Sequence, residues 1–305
     1  MRQSASILRA PRVRWGTMPQ WHSTGMPRVD AQHDFLRARR RATVAKLVAR
    51  LRGEPDDVGV ILPYEEVIQA LGFKEMRQLG LRPVPLDAIV GTIDRGRDFD
   101  RQFRPTSRRV RSRWEQIAAA MRRGDTMPPV DLLKLGEIYF VRDGHHRVSV
   151  ASALGYGDID AYVTEVITRV DAGGVLRFSD LPVKSHERVF FERVPLPEEA
   201  RSEIVVSDPW DYAVLAEGVE AWGFRAMQEH GELLDREHAA RLWLEREYRP
   251  VVATLREADL IGDATDAEAY MRIVTERYRL LRTHAWNDDV LRRVVQRDRR
   301  RRSIP

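Results

Sequence analysis

The stretch "YFVRDGHHRVSVASALG", residues 139–155, decides how this chain is read. Its first half is β-branched and aromatic, as in a strand. Its second half carries no helix breaker until Gly155. Between them stand Asp143, Gly144, two histidines and an arginine. A helix amino terminus leaves backbone N–H groups unpaired and carries partial positive charge. Gly144 removes the side chain that would hold a phosphate away from that backbone. Arg147, in the first turn, can fork onto phosphate oxygens. His145 and His146 can donate to phosphate or position a substrate. The turn therefore reads as an anion site, and the competing reading is a surface turn capped by Asp143.

Other chemistry fits the stretch less well. Adjacent histidines on a helix project about 100° apart and do not easily share one metal ion. No His-x-x-x-His pair occurs, and the chain has no cysteine, which removes disulfides and thiolate ligands. Ser149 falls inside the predicted helix with no evident base beside it.

The flanks predict a small α/β unit. "RPVPLDAIVGTID" (82–94) reads as a strand near a sheet edge, and "SRRVRSRWEQIAAAMRRGD" (107–125) as an amphipathic helix. "PVDLLKLGEIYFVRDG" (129–144) reads as two short strands turning at Leu135-Gly136, and "DIDAYVTEV" (158–166) as another strand. The order is strand, helix, strand, strand, helix, strand. Upstream, "LPYEEVIQALG" (62–72) predicts a short helix with Glu65 and Glu66 at its positive end.

Outside this unit the patterns differ. Residues 1–30 lack periodicity and lack the apolar core of a secretory signal; residues 30–53 predict a helix with Asp34 as its cap. Residues 167–207 read as an irregular connector with short strands at "VLRFSD" and "RVFFERV". From Asp208 the chain is helical. Asp208-Pro209 opens one helix, Pro250 must kink or break the next, and Thr265 with Glu268 forms a capping box. Asn287 is expected to cap a last helix. Trp222, Trp243, Tyr248, Tyr270 and Tyr278 fall at helical spacing and read as core. The expected organisation is a basic arm and helix (1–53), an α/β domain (54–166), a connector (167–207) and an all-α domain with a basic tail (208–305).

The formal net charge is +5, with arginine concentrated at 37–41, 95–113 and 292–302. Guanidinium groups meet phosphate well. Arg108, Arg109, Arg111, Arg300 and Arg301 are accordingly the expected contacts to a DNA or RNA backbone, with solvated helix faces as the alternative. No apolar run approaches the eighteen or so residues of a spanning helix, so no membrane partner is expected. The missing cysteines fit a cytoplasmic location.

Taken with its ordered flanks, the turn resembles the nucleotide-binding turn of the ParB/sulfiredoxin superfamily. The resemblance covers roughly residues 60–166, and D-G-H-H-R is similar to the turn of free serine kinases in that group. It implies an α+β protein: a small ParB/sulfiredoxin-like α/β domain followed by an all-α carboxyl-terminal domain. It also implies that Asp143, Gly144, His145, His146 and Arg147 hold a nucleotide, CTP or ATP, and that Mg²⁺ bound through Asp94 and Asp98 assists. His145, His146 and Asp94 are the implied catalytic groups, with Glu65, Glu66 and Asp87 as further acids. A bacterial protein of chromosome-partitioning type, bound to nucleic acid and able to form a homodimer, is one implication. A small-molecule kinase and a non-catalytic interaction protein are the others. Sulfiredoxin chemistry needs a cysteine that this chain lacks.

Overall fold

Three strands that share one direction bring the quoted turn to the edge of a sheet. The structure, a computed structural model, describes residues 23–53, 59–94, 96–281 and 293. Its sheet contains β1 (Leu62–Pro63), β2 (Phe73–Pro85), β3 (Ile89–Thr92), β4 (Val130–Leu135), β5 (Ile138–Asp143) and β6 (Asp158–Thr168), in the order β1-β3-β5-β4-β6-β2. β1, β3 and β5 are parallel, with Pro63 opposite Thr92 and Thr92 opposite Val141. β5 runs antiparallel to β4, β4 parallel to β6, and β6 antiparallel to β2. The chain is thus mixed α and β, as expected.

The hairpin at Leu135-Gly136 forms because Gly136 takes φ 54°, a left-handed conformation that favours glycine. α3 (Arg111–Arg122) and α4 (His145–Leu154) occupy the expected helical stretches. Val130, Leu132, Val141, Ile159, Ala161 and Val163 on the strands are buried in one core with Trp114, Ala118, Val148 and Ala151 of these two helices. The indole Nε1 of Trp114 donates to Ser149 Oγ at 2.8 Å, tying α3 to α4. Phe140 alternates to the opposite face of the sheet, where Tyr64 of α2 (Tyr64–Leu71) meets it edge-on at 5.7 Å.

Some expectations are corrected. The strand expected over 82–94 is two strands, β2 and β3, separated by a 3-10 turn at Leu86–Ala88. β2 begins nine residues earlier, at Phe73. It is an edge strand exposed along most of its length, so it carries no apolar alternation to read. The first helix, α1 (Pro27–Leu51), starts before Asp34. Asp34 is therefore no cap: it lies buried inside the helix and accepts from Arg122 Nε at 2.7 Å. Asp30, one turn earlier, accepts from Ser23 Oγ, Thr24 N and Thr24 Oγ1.

The chain divides into two compact units, up to Leu181 and from Pro182. The expected strands after Gly174 are a 3-10 turn (Phe178–Asp180) and helix α5 (Leu181–Arg193), so the connector is largely helical. In the second unit α6 (Pro209–His230) is capped by Asp208, whose carboxylate accepts from Trp210 N at 2.9 Å. Pro250 breaks no helix: α7 (Arg236–Trp243) runs through a π-helical turn (Leu244–Tyr248) into α8 (Arg249–Glu257). The π register at the preceding residues accommodates the proline. α9 (Asp266–Leu281) opens on the expected box, with Thr265 N donating to Glu268 and Glu268 N donating to Thr265. Trp243, Tyr248 and Tyr270 are buried together as core, whereas Tyr278 is exposed. The helix expected after Asn287 lies outside the described residues.

Candidate phosphate-binding turn

At the carboxyl edge of the three parallel strands, two helices begin. α2 follows β1 directly, and α4 follows β5 through Gly144. Ligands of open α/β sheets settle outside the carboxyl ends of parallel strands, where helix amino termini supply N–H donors.

Gly144 takes φ 99° and ψ 20° as the residue before α4, and no side chain caps that helix. A Cβ at this position would come within 2.5 Å of Val130 Cγ1. Two independent constraints, a left-handed backbone and a strand pressed against it, therefore demand glycine.

His145 is buried, and its Nε2 lies 2.6 Å from Thr92 Oγ1 at the end of β3. His146 is half-buried and packs edge-on against Phe99 at 5.7 Å. Phe99 belongs to a loop after β3 in which Asp100 Oδ1 accepts from the amides of Gln102 and Arg104. In that loop Phe103 is held at φ 54°, an unusual conformation for a bulky residue. The two histidines thus separate: one anchors to the sheet, the other to the loop.

Arg147 donates from Nη1 to the carbonyls of Pro128 (2.6 Å) and Pro129 (2.7 Å), and from Nη2 to Asp143 Oδ2 at 2.6 Å. Its fork, expected to receive phosphate, instead joins the turn to the segment entering β4. Asp143 remains largely exposed.

The remaining expected residues are spread along the same edge and beyond it. Asp94 is exposed just past β3, and Asp98 is half-buried, its backbone carbonyl accepting from Thr106 N at 2.9 Å. Among the described residues, no three His, Cys, Asp or Glu side chains converge as a metal site. Glu65 and Glu66 are exposed in the first turn of α2, on the edge shared with Thr92. Burial, followed by the Glu65 charge, pushes the Tyr64 hydroxyl above its ordinary value. Asp87 lies apart from this edge, in the 3-10 turn before β3. Arg108, Arg109 and Arg111 are exposed at the amino end of α3, Arg111 being engaged with Glu115 at 2.6 Å. Arg300 and Arg301 lie outside the described residues.

Thr92, Phe99, Val130 and the Pro128-Pro129 carbonyls were not legible as parts of the turn. The one sequence signal was the proline pair: Pro129 has no N–H, and consecutive prolines hold the chain extended with its carbonyls presented outward.

No family model, no curated protein and no solved structure matches this chain.

Proposed function

We propose that the chain is a nucleotide-binding protein of the ParB/sulfiredoxin kind, holding nucleotide phosphates at the amino terminus of α4. The observation that carries this reading is Gly144. It opens a helix terminus at the carboxyl edge of three parallel strands, and no side chain makes a cap hydrogen bond to the first amides of α4. In this reading the backbone amides are the principal phosphate donors. His145, held by Thr92, and His146, against Phe99, flank the turn. Arg147 is a positioning residue, since its donors serve Pro128, Pro129 and Asp143. Asp94 and Asp98 are the carboxylates available to a Mg²⁺ ion that also bridges phosphates.

Titration calorimetry of the full chain with CTP and with ATP, each with and without Mg²⁺, tests the reading. Saturable binding that is lost in Gly144→Ala supports it. Absence of binding to both nucleotides in the folded protein overturns it.

Nucleic-acid association belongs to the same proposal. Arg108, Arg109 and Arg111 are exposed together, and backbone contacts release counterions. Duplex affinity should fall by about 10³–10⁵ between roughly 50 and 200 mM salt if six to ten phosphates are engaged. Random and defined sequences should bind alike, because phosphate contacts carry no sequence information.

A second reading, phosphotransfer to a small hydroxylated metabolite, is favoured by one feature. Glu65 and Glu66 stand at the carboxyl edge from which α4 begins. A carboxylate there could accept the acceptor's hydroxyl proton as the phosphoryl group transfers. Nucleoside diphosphate formation that depends on an added free hydroxy amino acid would select this reading.

A further inference from the structure

α1 presents two faces of opposite character. Ala31, Asp34, Phe35 and Ala38 are buried, with Phe35 edge-on against Trp114 of α3 at 5.5 Å. From Arg39 to Leu51 no residue is buried. Along this half Val44, Leu47, Val48 and Leu51 are exposed; Leu47 is 58% and Leu51 78% accessible. At about 100° per residue these four fall within a sector roughly 100° wide, on the side of the helix away from Phe35. Leu36, also exposed, extends the same stripe towards the amino terminus.

The charge on this helix is one-sided. Its only acids, Asp30 and Asp34, are both buried and bonded, and Arg122 pairs with Asp34. Every other charged residue of α1 is an arginine or lysine, and Arg40, Arg41, Lys46 and Arg50 are all exposed. The exposed surface of the helix therefore combines an apolar stripe with basic side chains and no exposed acid of its own.

We propose that the carboxyl-terminal half of α1 lies flat on an anionic lipid surface. Val44, Leu47, Val48 and Leu51 would enter the interface, while Arg40, Arg41 and Arg50, which lie within or beside the stripe, meet lipid phosphates. The contact is peripheral and is compatible with the finding that no described helix is long and apolar enough to cross a membrane. Amphipathic helices bind bilayers through buried apolar area plus attraction of basic residues to anionic headgroups, and both elements are present. The other occupants fit less well. A second α1 would bring two uniformly basic helices together. A nucleic-acid backbone matches the charge and leaves the leucines and valines in water. The inference is independent of nucleotide binding at α4.

Flotation of the full chain with vesicles tests it. The vesicles are pure phosphatidylcholine or phosphatidylcholine containing one-third phosphatidylglycerol. The protein should float with the anionic vesicles and stay behind with the neutral ones. The double variant Leu47→Glu, Leu51→Glu should abolish flotation without altering thermal unfolding, because both positions are exposed. Arg41→Gln and Arg50→Gln should each weaken partitioning about fivefold, the scale of one headgroup-facing cation. Three results would overturn the proposal: no flotation with anionic vesicles, equal flotation with both vesicle types, or unchanged flotation of the folded double variant. A fourth would be loss of duplex binding in the Glu double variant with no flotation in the wild type, which assigns the face to nucleic acid.

Discussion

His145 and Thr92, fifty-three residues apart, meet in a buried hydrogen bond of 2.6 Å between Nε2 and Oγ1. This contact ties the first residue of α4 to the last residue of β3, and it fixes how the helix terminus faces the sheet edge. Thr92→Val removes the hydroxyl and keeps the shape. It should lower stability by about 1–3 kcal/mol, the cost of leaving a buried polar atom without its partner. Thr92→Ser should restore most of the loss. Denaturant unfolding of the three proteins measures both outcomes.

Gly144→Ala imposes a left-handed conformation on an L-residue, at about 1–2 kcal/mol, and places a methyl 2.5 Å from Val130 Cγ1. The turn must shift to accept it. Nucleotide affinity should fall at least tenfold in calorimetric titrations of the folded variant. Val130→Ala in the same chain should recover part of the stability and not all of it, since the backbone strain persists.

Arg147→Ala deletes bonds to Pro128, Pro129 and Asp143 together. It should cost about 1.5–3 kcal/mol of stability. Arg147→Lys should fare nearly as badly, because a single ammonium does not reproduce a planar fork. A thermal melt that leaves the Ala variant unchanged would show that the guanidinium does not hold this turn.

Asp30 accepts the Thr24 amide, and that bond, with those from the Thr24 and Ser23 hydroxyls and the Arg122 charge, holds its carboxyl below the ordinary value of 3.8 despite burial. The folded state thus favours the ionised form. The contribution is complete above about pH 3.8 and is lost as pH falls through the lower folded-state value. The amino end of α1 should loosen in that acid range. Asp30→Asn should remove this component of the pH dependence, read from helical circular dichroism during acid titration.

In the second unit, Arg277 and Glu247 form a buried pair at 3.1 Å beside Tyr270. Burial, against the pull of Glu247, lowers the Arg277 value from its usual one. Glu247→Ala removes a bonded counter-charge from a buried guanidinium and should cost about 3–5 kcal/mol. Replacing both, Glu247→Leu with Arg277→Met, should be markedly less damaging. Chemical denaturation of the single and double variants separates the cases.

Legibility differed from element to element for physical reasons. β4, β5 and β6 were legible because their residues alternate or run apolar between turn signals, and Gly136, Gly144 and Gly155 mark where the chain reverses. The caps at Asp208 and Thr265 are local bonds, spanning two and three residues, so sequence spacing suffices. The first nine residues of β2 were missed because an exposed edge strand needs no apolar face. α5 was missed because "LPVKSHERVFFER" mixes β-branched and aromatic residues that packing, not propensity, holds in a helix.

The sequence by itself determined the strand–glycine–helix turn and the order of elements around it, since these follow from periodicity and from conformations that only glycine adopts cheaply. It also determined the all-basic charge of α1 outside Asp30 and Asp34. Only the tertiary structure decided what the side chains of the turn do. Arg147 is drawn to the carbonyls of Pro128 and Pro129, His145 to Thr92 and His146 to Phe99, because the sheet brings distant segments within hydrogen-bond and ring-contact range. Likewise, only the packing of α1 on α3 buries Asp34 against Arg122 and leaves the leucine stripe facing outward. A helical pattern shows that a face is apolar. Which of two faces a neighbour covers depends on contacts between residues far apart in the chain.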